Sequence, residues 1–129
     1  MSAIRRFAPF LALALMSQTA SFAADHAAYD QKAFEAAQAA NLPILLDVSA
    51  PWCPTCRAQK PILEKLTADP AFKDLKVFEI DFDSQTALLR TLHVQSQSTL
   101  IVYKGKSEQG RSTGDTAEAS INALLHKSL

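Results

Sequence analysis

Sulfur is scarce in this 129-residue chain: Cys53 and Cys56 are its only cysteines, too few for a multi-bridge disulfide scaffold. Glycine is scarce as well, with three residues, which excludes collagen-like and linker-rich architectures. Neither sign of charge dominates. Thirteen Lys and Arg face thirteen Asp and Glu, so no whole-chain field draws the protein to nucleic acid or to an anionic membrane surface. No apolar run approaches the roughly 20 residues that a membrane-spanning helix needs. With 48% hydrophobic and 20% charged residues, the composition fits one compact globular domain. A structural zinc site needs four ligands, and the two cysteines with His26, His93 and His126 have no spacing that joins them.

The N-terminus carries an address. Arg5 and Arg6 precede an apolar stretch over residues 7–16 and a small-residue run ending Ser21-Phe22-Ala23-Ala24, the pattern of a secretory signal peptide. We expect residues 1–23 to be removed and residues 24–129 to form the domain, with no membrane span after cleavage and a monomeric state. The destination is an oxidising compartment, a bacterial periplasm, where neighbouring cysteines become oxidised unless something reduces them. The redox state of Cys53 and Cys56 is then a functional variable.

Spacing predicts the elements. Tyr29, Ala33, Phe34, Ala37 and Ala40 recur at helical intervals from His26 to near Asn41 and Pro43. Ile44-Leu45-Leu46-Asp47-Val48 is a near-continuous apolar run, as in a strand covered on both faces, interrupted by one carboxylate. A helix over 54–66 follows, with Pro61 inside it removing a backbone donor. Then come a strand over 75–82, a helix over 84–92 and strands over 99–103 and 107–113 joined by Lys104-Gly105-Lys106. A last helix is capped by Asp115 or Thr116. The expected fold is α/β: three layers around a four-stranded mixed sheet, a βαβ unit followed by a β-hairpin and a C-terminal helix.

The dithiol falls where the first apolar strand gives way to a helix. With Cys53 at the N-cap, Pro54 takes the first helical position, where its missing N–H costs nothing. The Cys53 sulfur then faces the amides of Thr55 and Cys56 and the positive end of the helix dipole, which favour thiolate over thiol. Cys56 lies three residues on, within bridging reach and expected to be deeper. This asymmetry makes Cys53 the attacking sulfur and Cys56 the resolving one. A purely stabilising disulfide is the weaker reading, because a bridge across so short a loop restrains the unfolded chain little.

With strand, Trp52-Cys53-Pro54-Thr55-Cys56, helix and Pro61 in place, residues 44–129 resemble thioredoxin-fold proteins, especially exported bacterial thioredoxin-like reductases. Asp47, six residues before Cys53, matches that family's buried aspartate, and Gly114 its late glycine. The resemblance implies that Asp47 moves the proton to and from Cys56, that Trp52 shapes the surface beside the dithiol, and that Pro61 bends the helix. It implies that Pro54 and Thr55 tune the thiolate, and that the loop Gln97-Ser98-Thr99 offers its backbone to an extended substrate. Burial alone supports Asp47: a carboxylate inside an apolar strand loses hydration, so its pKa rises towards neutrality. Two positions depart from the family. Ser98 stands where a cis-proline is usual, and the Gln97–Ser98 bond is expected to be trans, because cis costs about 2.5–4 kcal/mol before a non-proline residue. Glu79 stands where many thioredoxins carry a lysine paired with the aspartate; it is expected to face solvent, the alternative being that it faces Asp47, where two competing acids would raise one pKa further. The family's N-terminal strand is expected to be absent.

The expected activity is that of a periplasmic thiol-disulfide oxidoreductase. It would reduce protein or peptide disulfides through Cys53 and Cys56 without a bound cofactor, and a separate redox partner would reset the dithiol. Two alternatives stay open: a disulfide-forming oxidase, and a soft-metal module in which the two thiolates hold Cu(I).

Overall fold

The computed structural model describes residues 23–129; apart from Ala23, the expected signal peptide lies outside the described residues. Five strands and four helices follow one another: β1 (Asp25–Ala28), α1 (Gln31–Ala39), β2 (Pro43–Ser49), α2 (Pro54–Thr67), β3 (Lys76–Asp81), α3 (Thr86–Thr91), β4 (Thr99–Lys104), β5 (Ser107–Thr113) and α4 (Glu118–His126). A 3₁₀ turn, Pro70–Phe72, precedes β3 and is capped by Asp69, whose carboxylate accepts the Ala71 N–H.

The sheet runs β1-β3-β2-β4-β5. Strands β1 and β2 are both parallel to β3, whereas β4 is antiparallel to β2 and to β5, so the expected mixed sheet is present with one strand more than expected. That strand is β1, where a helix from His26 was expected. All four of its side chains are exposed, so it carries no alternating apolar signal. Main-chain pairing holds it instead: Asp25 to Ala28 lie in register with Lys76 to Glu79, and the Ala24 and Tyr29 N–H groups donate to the Thr67 and Glu79 carbonyls. The helix starts only at Gln31, after Asp30 has accepted the Ala33 N–H at 2.8 Å.

Central strand β2 separates two apolar cores. On one face Ile44, Leu46, Val48, Phe78, Ile80, Ile101 and Tyr103 pack against Phe34 and Ala37 of α1 and Leu89 of α3. On the other, Leu45, Val77, Leu100 and Val102 meet Leu63 of α2 and Ile121, Leu124 and Leu125 of α4. Strand alternation puts Asp47, two residues after Leu45, on the α2 face, and Glu79, two after Val77, beside it. At the last helix the N-cap is Ala117, which makes no side-chain cap; Asp115 instead accepts the Ala117 N–H and the Ser120 hydroxyl, bracing the loop before α4.

Candidate active site

Cys53 closes the loop after β2 and opens α2. Its backbone is extended (φ −82°, ψ 112°), its sulfur accepts the Cys56 N–H at 3.1 Å, and Pro54 takes the first helical position, the arrangement the sequence implied. The two cysteines form a disulfide, with Cα atoms 5.3 Å apart. Their burial reverses the expectation. Cys53 is 1% exposed and Cys56 8%: the two pack with Ala50 in a small cluster joined by Phe82, and Cys56 lines an open cleft that Cys53 does not. Pro61 lies within α2, where its missing N–H leaves the Arg57 carbonyl without an intrahelical donor.

Ser98 faces the disulfide. No peptide bond among the described residues is cis, so Gln97–Ser98 is trans, and Ser98 adopts φ 61°. Three elements clamp its main chain: its N–H donates to Val48 O at 2.8 Å, and its carbonyl accepts Gly114 N–H at 3.0 Å and Gln59 Nε2 at 3.3 Å. Its hydroxyl lies 3.2 Å from Cys53 Sγ and 3.1 Å from Cys56 Sγ. Disulfide sulfurs carry no proton, so the hydroxyl is the donor, its single proton shared between the two contacts.

Behind the dithiol opens a cleft of about 610 Å³, lined among others by Cys56, Lys60 and Leu63 of α2, Asp47 of β2, Glu79 of β3 and His26 of β1. Asp47 and Glu79 are paired in the parallel register. Loss of hydration, with a smaller contribution from the Glu79 charge, raises the Asp47 pKa from 3.8 to about 6. Glu79 is exposed, as expected, and also acts on Asp47; the two descriptions are compatible because the cleft is open to solvent.

The remaining candidates divide. Trp52 is exposed, and its indole N–H donates to Asp83 at 2.8 Å, which fixes the ring beside the dithiol. Pro54 is exposed, and Thr55 and Gln97 are half-buried around the cysteines. Thr99 is buried at the start of β4, and its hydroxyl serves Ser96 O at 2.8 Å and Thr113 Oγ1 at 3.0 Å, so it braces the loop from inside. Sequence reasoning missed Gln59, 1% exposed, whose amide N–H groups donate to Ser98 O at 3.3 Å and to Asp115 O at 2.8 Å. Its signal was available: Cys56, Gln59, Leu63 and Thr67 form one inward stripe of α2, and an amide on such a stripe needs polar partners. The histidines stand apart, His26 on β1 against Thr67, His93 after α3 and His126 at the end of α4.

Comparison with known proteins agrees with this geometry. The thioredoxin family profile matches residues 25–127. A thioredoxin of Aspergillus fumigatus is 32% identical over 98 residues, covering 73% of this chain and 89% of its own length. The crystal structure of Trxlp from Edwardsiella tarda superposes with a TM-score of 0.76 at 42% identity, covering 78% of this chain and 98% of that one. A thioredoxin of Halobacterium salinarum shares the fold at 22% identity, with a TM-score of 0.70 over 86% of this chain and 95% of its own. With a cysteine pair bridged at the N-terminus of the helix after the central strand, the chain belongs to the thioredoxin family and is a thiol-disulfide oxidoreductase.

Proposed function

We propose that this protein is an exported reductase of protein or peptide disulfides, acting in a bacterial periplasm. The observation that carries the reading is the placement of Cys53 at the N-cap of α2, its sulfur held by the Cys56 amide at 3.1 Å. That position stabilises a thiolate. The signal-like pattern over residues 1–23 supports export. Trp52, Asp47 and Pro61, which resemble the reducing members of the family, support the direction.

In the reduced protein, the Cys53 thiolate turns out from beneath the Ser98 loop and attacks one sulfur of the substrate disulfide. A Cys53–substrate bond forms and the other substrate sulfur leaves as a thiolate. Cys56 then gives up its proton and attacks Cys53 Sγ, which closes the Cys53–Cys56 bond and expels the second substrate thiolate. Two electrons pass to the substrate. Asp47, on the same cleft as Cys56 and with a pKa of about 6, takes the proton from Cys56 and returns it to solvent or to the departing thiolate.

The reduction potential decides direction. A value near about −270 mV is expected, and one near about −120 mV would assign the protein to disulfide formation. Mixed disulfides trapped in cells should accumulate on a Cys56→Ala variant; accumulation on Cys53→Ala instead would exchange the roles of the two sulfurs.

A further inference from the structure

The geometry points to the Ser98 hydroxyl as a catalytic hydrogen-bond donor that serves the two sulfurs in turn, first the Cys53 thiolate and then the Cys56 thiolate. This deepens the exchange reading and rests on it.

Ser98 is 3% exposed, and its hydroxyl lies within hydrogen-bonding distance of both sulfurs. No other acceptor among the described residues takes that proton. A disulfide sulfur is a weak acceptor and a thiolate a strong one, since hydrogen bonds to charged groups are roughly twice as strong as neutral ones. The buried donor therefore contributes little in the oxidised protein and much once a sulfur is ionised. Such a donor stabilises charge with no movement of the backbone, provided its main chain is already fixed and only the O–H has to turn. Ser98 meets that condition, because Val48, Gly114 and Gln59 hold its main chain from β2, the loop after β5, and α2.

The sequence of events follows the sulfur charges. In the reduced dithiol, the hydroxyl donates to the Cys53 thiolate while the Cys56 S–H donates to Ser98 Oγ. When Cys53 is taken up in the mixed disulfide it carries no charge. A rotation of the hydroxyl then turns the same proton to Cys56, whose own proton passes to Asp47. The serine exchanges no proton and forms no covalent bond; its hydrogen bond moves from one thiolate to the other.

The test is the Cys53 pKa, followed by thiolate absorbance and by alkylation rate against pH, in reduced full-length domain carrying Ser98→Ala, Ser98→Gly or Ser98→Thr. Loss of the hydroxyl should raise the pKa by about one unit, a roughly tenfold change, in Ala and Gly alike. It should also move the equilibrium with glutathione about tenfold towards the disulfide. Alanine keeps the Cβ that serine already carries at φ 61° whereas glycine removes it, so the two variants share only the loss of the hydroxyl, and a shift in one without the other would mark a backbone or packing effect and overturn the proposal. Thr keeps the hydroxyl and should keep the wild-type pKa. Unchanged pKa values in both Ala and Gly, or a Thr variant that moves as far as Ala, would also overturn it; if Thr does not fold, the Ala and Gly pair still decides. The exchange reading is checked separately. Wild-type protein that fails to reduce insulin disulfides with dithiothreitol as donor removes that reading, whatever the pKa values show.

Discussion

Asp47 is an acid placed where its charged form is disfavoured. Its pKa in the fold, about 6, lies above the ordinary 3.8, so the folded protein binds a proton there that the unfolded chain has lost. The sign follows directly: this residue contributes nothing adverse below the ordinary value, and stability falls as pH rises between the two values. Asp47→Asn should stabilise the domain by about 2–3 kcal/mol at about pH 8, with the gain disappearing below about pH 4, in urea melts across that range. The same variant should slow exchange, since Cys56 loses its proton acceptor. An equally stable variant at both pH values would mean that Asp47 is hydrated. Glu79 supplies a second check. It faces Asp47 in register, on a cleft that also receives His26 from β1, Arg57, Lys60 and Glu64 from α2, and Asp81 from β3. Glu79→Gln should lower the Asp47 pKa slightly and Glu79→Lys clearly further, measured by carboxyl NMR; an unmoved value would show that burial alone sets it. A carboxylate interrupting an apolar strand was legible from the order of residues 44–48. The burial of Cys53 was not, because Phe82, which packs on the cysteine cluster, and Ser98, which contacts its sulfur, come from distant loops.

Elements were legible in proportion to how much of their stability comes from their own side chains. Strands β2 and β4 are almost wholly buried and announce themselves as apolar runs, and Pro54 marks the start of α2. Strand β1 and the bracing of the loop before α4 depend on main-chain and polar partners elsewhere, which no local pattern records. The β4–β5 turn shows both kinds of information. Gly105 was visible as a hairpin residue, but its reason is tertiary: at φ 56° its N–H donates to Leu42 O at 2.9 Å, and an added Cβ would lie 2.5 Å from Asn41 Oδ1 and 3.2 Å from the Asn41 Cα. The Asn41 side-chain oxygen has room to give; the backbone does not. Gly105→Ala should therefore cost roughly 1–3 kcal/mol in denaturant melts. The turn follows Lys104, at the opposite end of β4 from Thr99 and the dithiol, so the Cys53 pKa should not change. A shifted pKa would mean that the sheet transmits strain along its length.

At the scale of the whole molecule, the sheet separates two cores, and a cleft opens between α2 and the β1–β3 side of the sheet, the route by which the proposed exchange would release its proton. The parallel pairing of β2 with β3 and the antiparallel pairing of β4 with β5 followed from connection rules, since a crossover helix makes neighbours parallel and a short turn makes them antiparallel; that β4 lies against β2 did not. The outer edge did not follow, and it matters for the chemistry, because His26 and Ala28 of β1 form part of the wall facing Asp47. Removal of the chain through Ala28 would strip β3 of its outer partner strand, leaving it paired with β2 alone, and would also remove the His26–Thr67 contact at 3.1 Å. Lost main-chain bonds at about 1 kcal/mol each suggest a destabilisation of about 2–4 kcal/mol, and the bared edge of β3 should promote self-association. Water would then reach Asp47 from the open side. Since lost hydration is the larger cause of its raised pKa, the truncated domain should show that value falling from about 6 towards 3.8, and the stabilisation by Asp47→Asn shrinking with it. A truncated domain that folds with the Asp47 pKa unchanged would mean that α2 and β2 alone keep the carboxyl dry, and that β1 is only an edge guard.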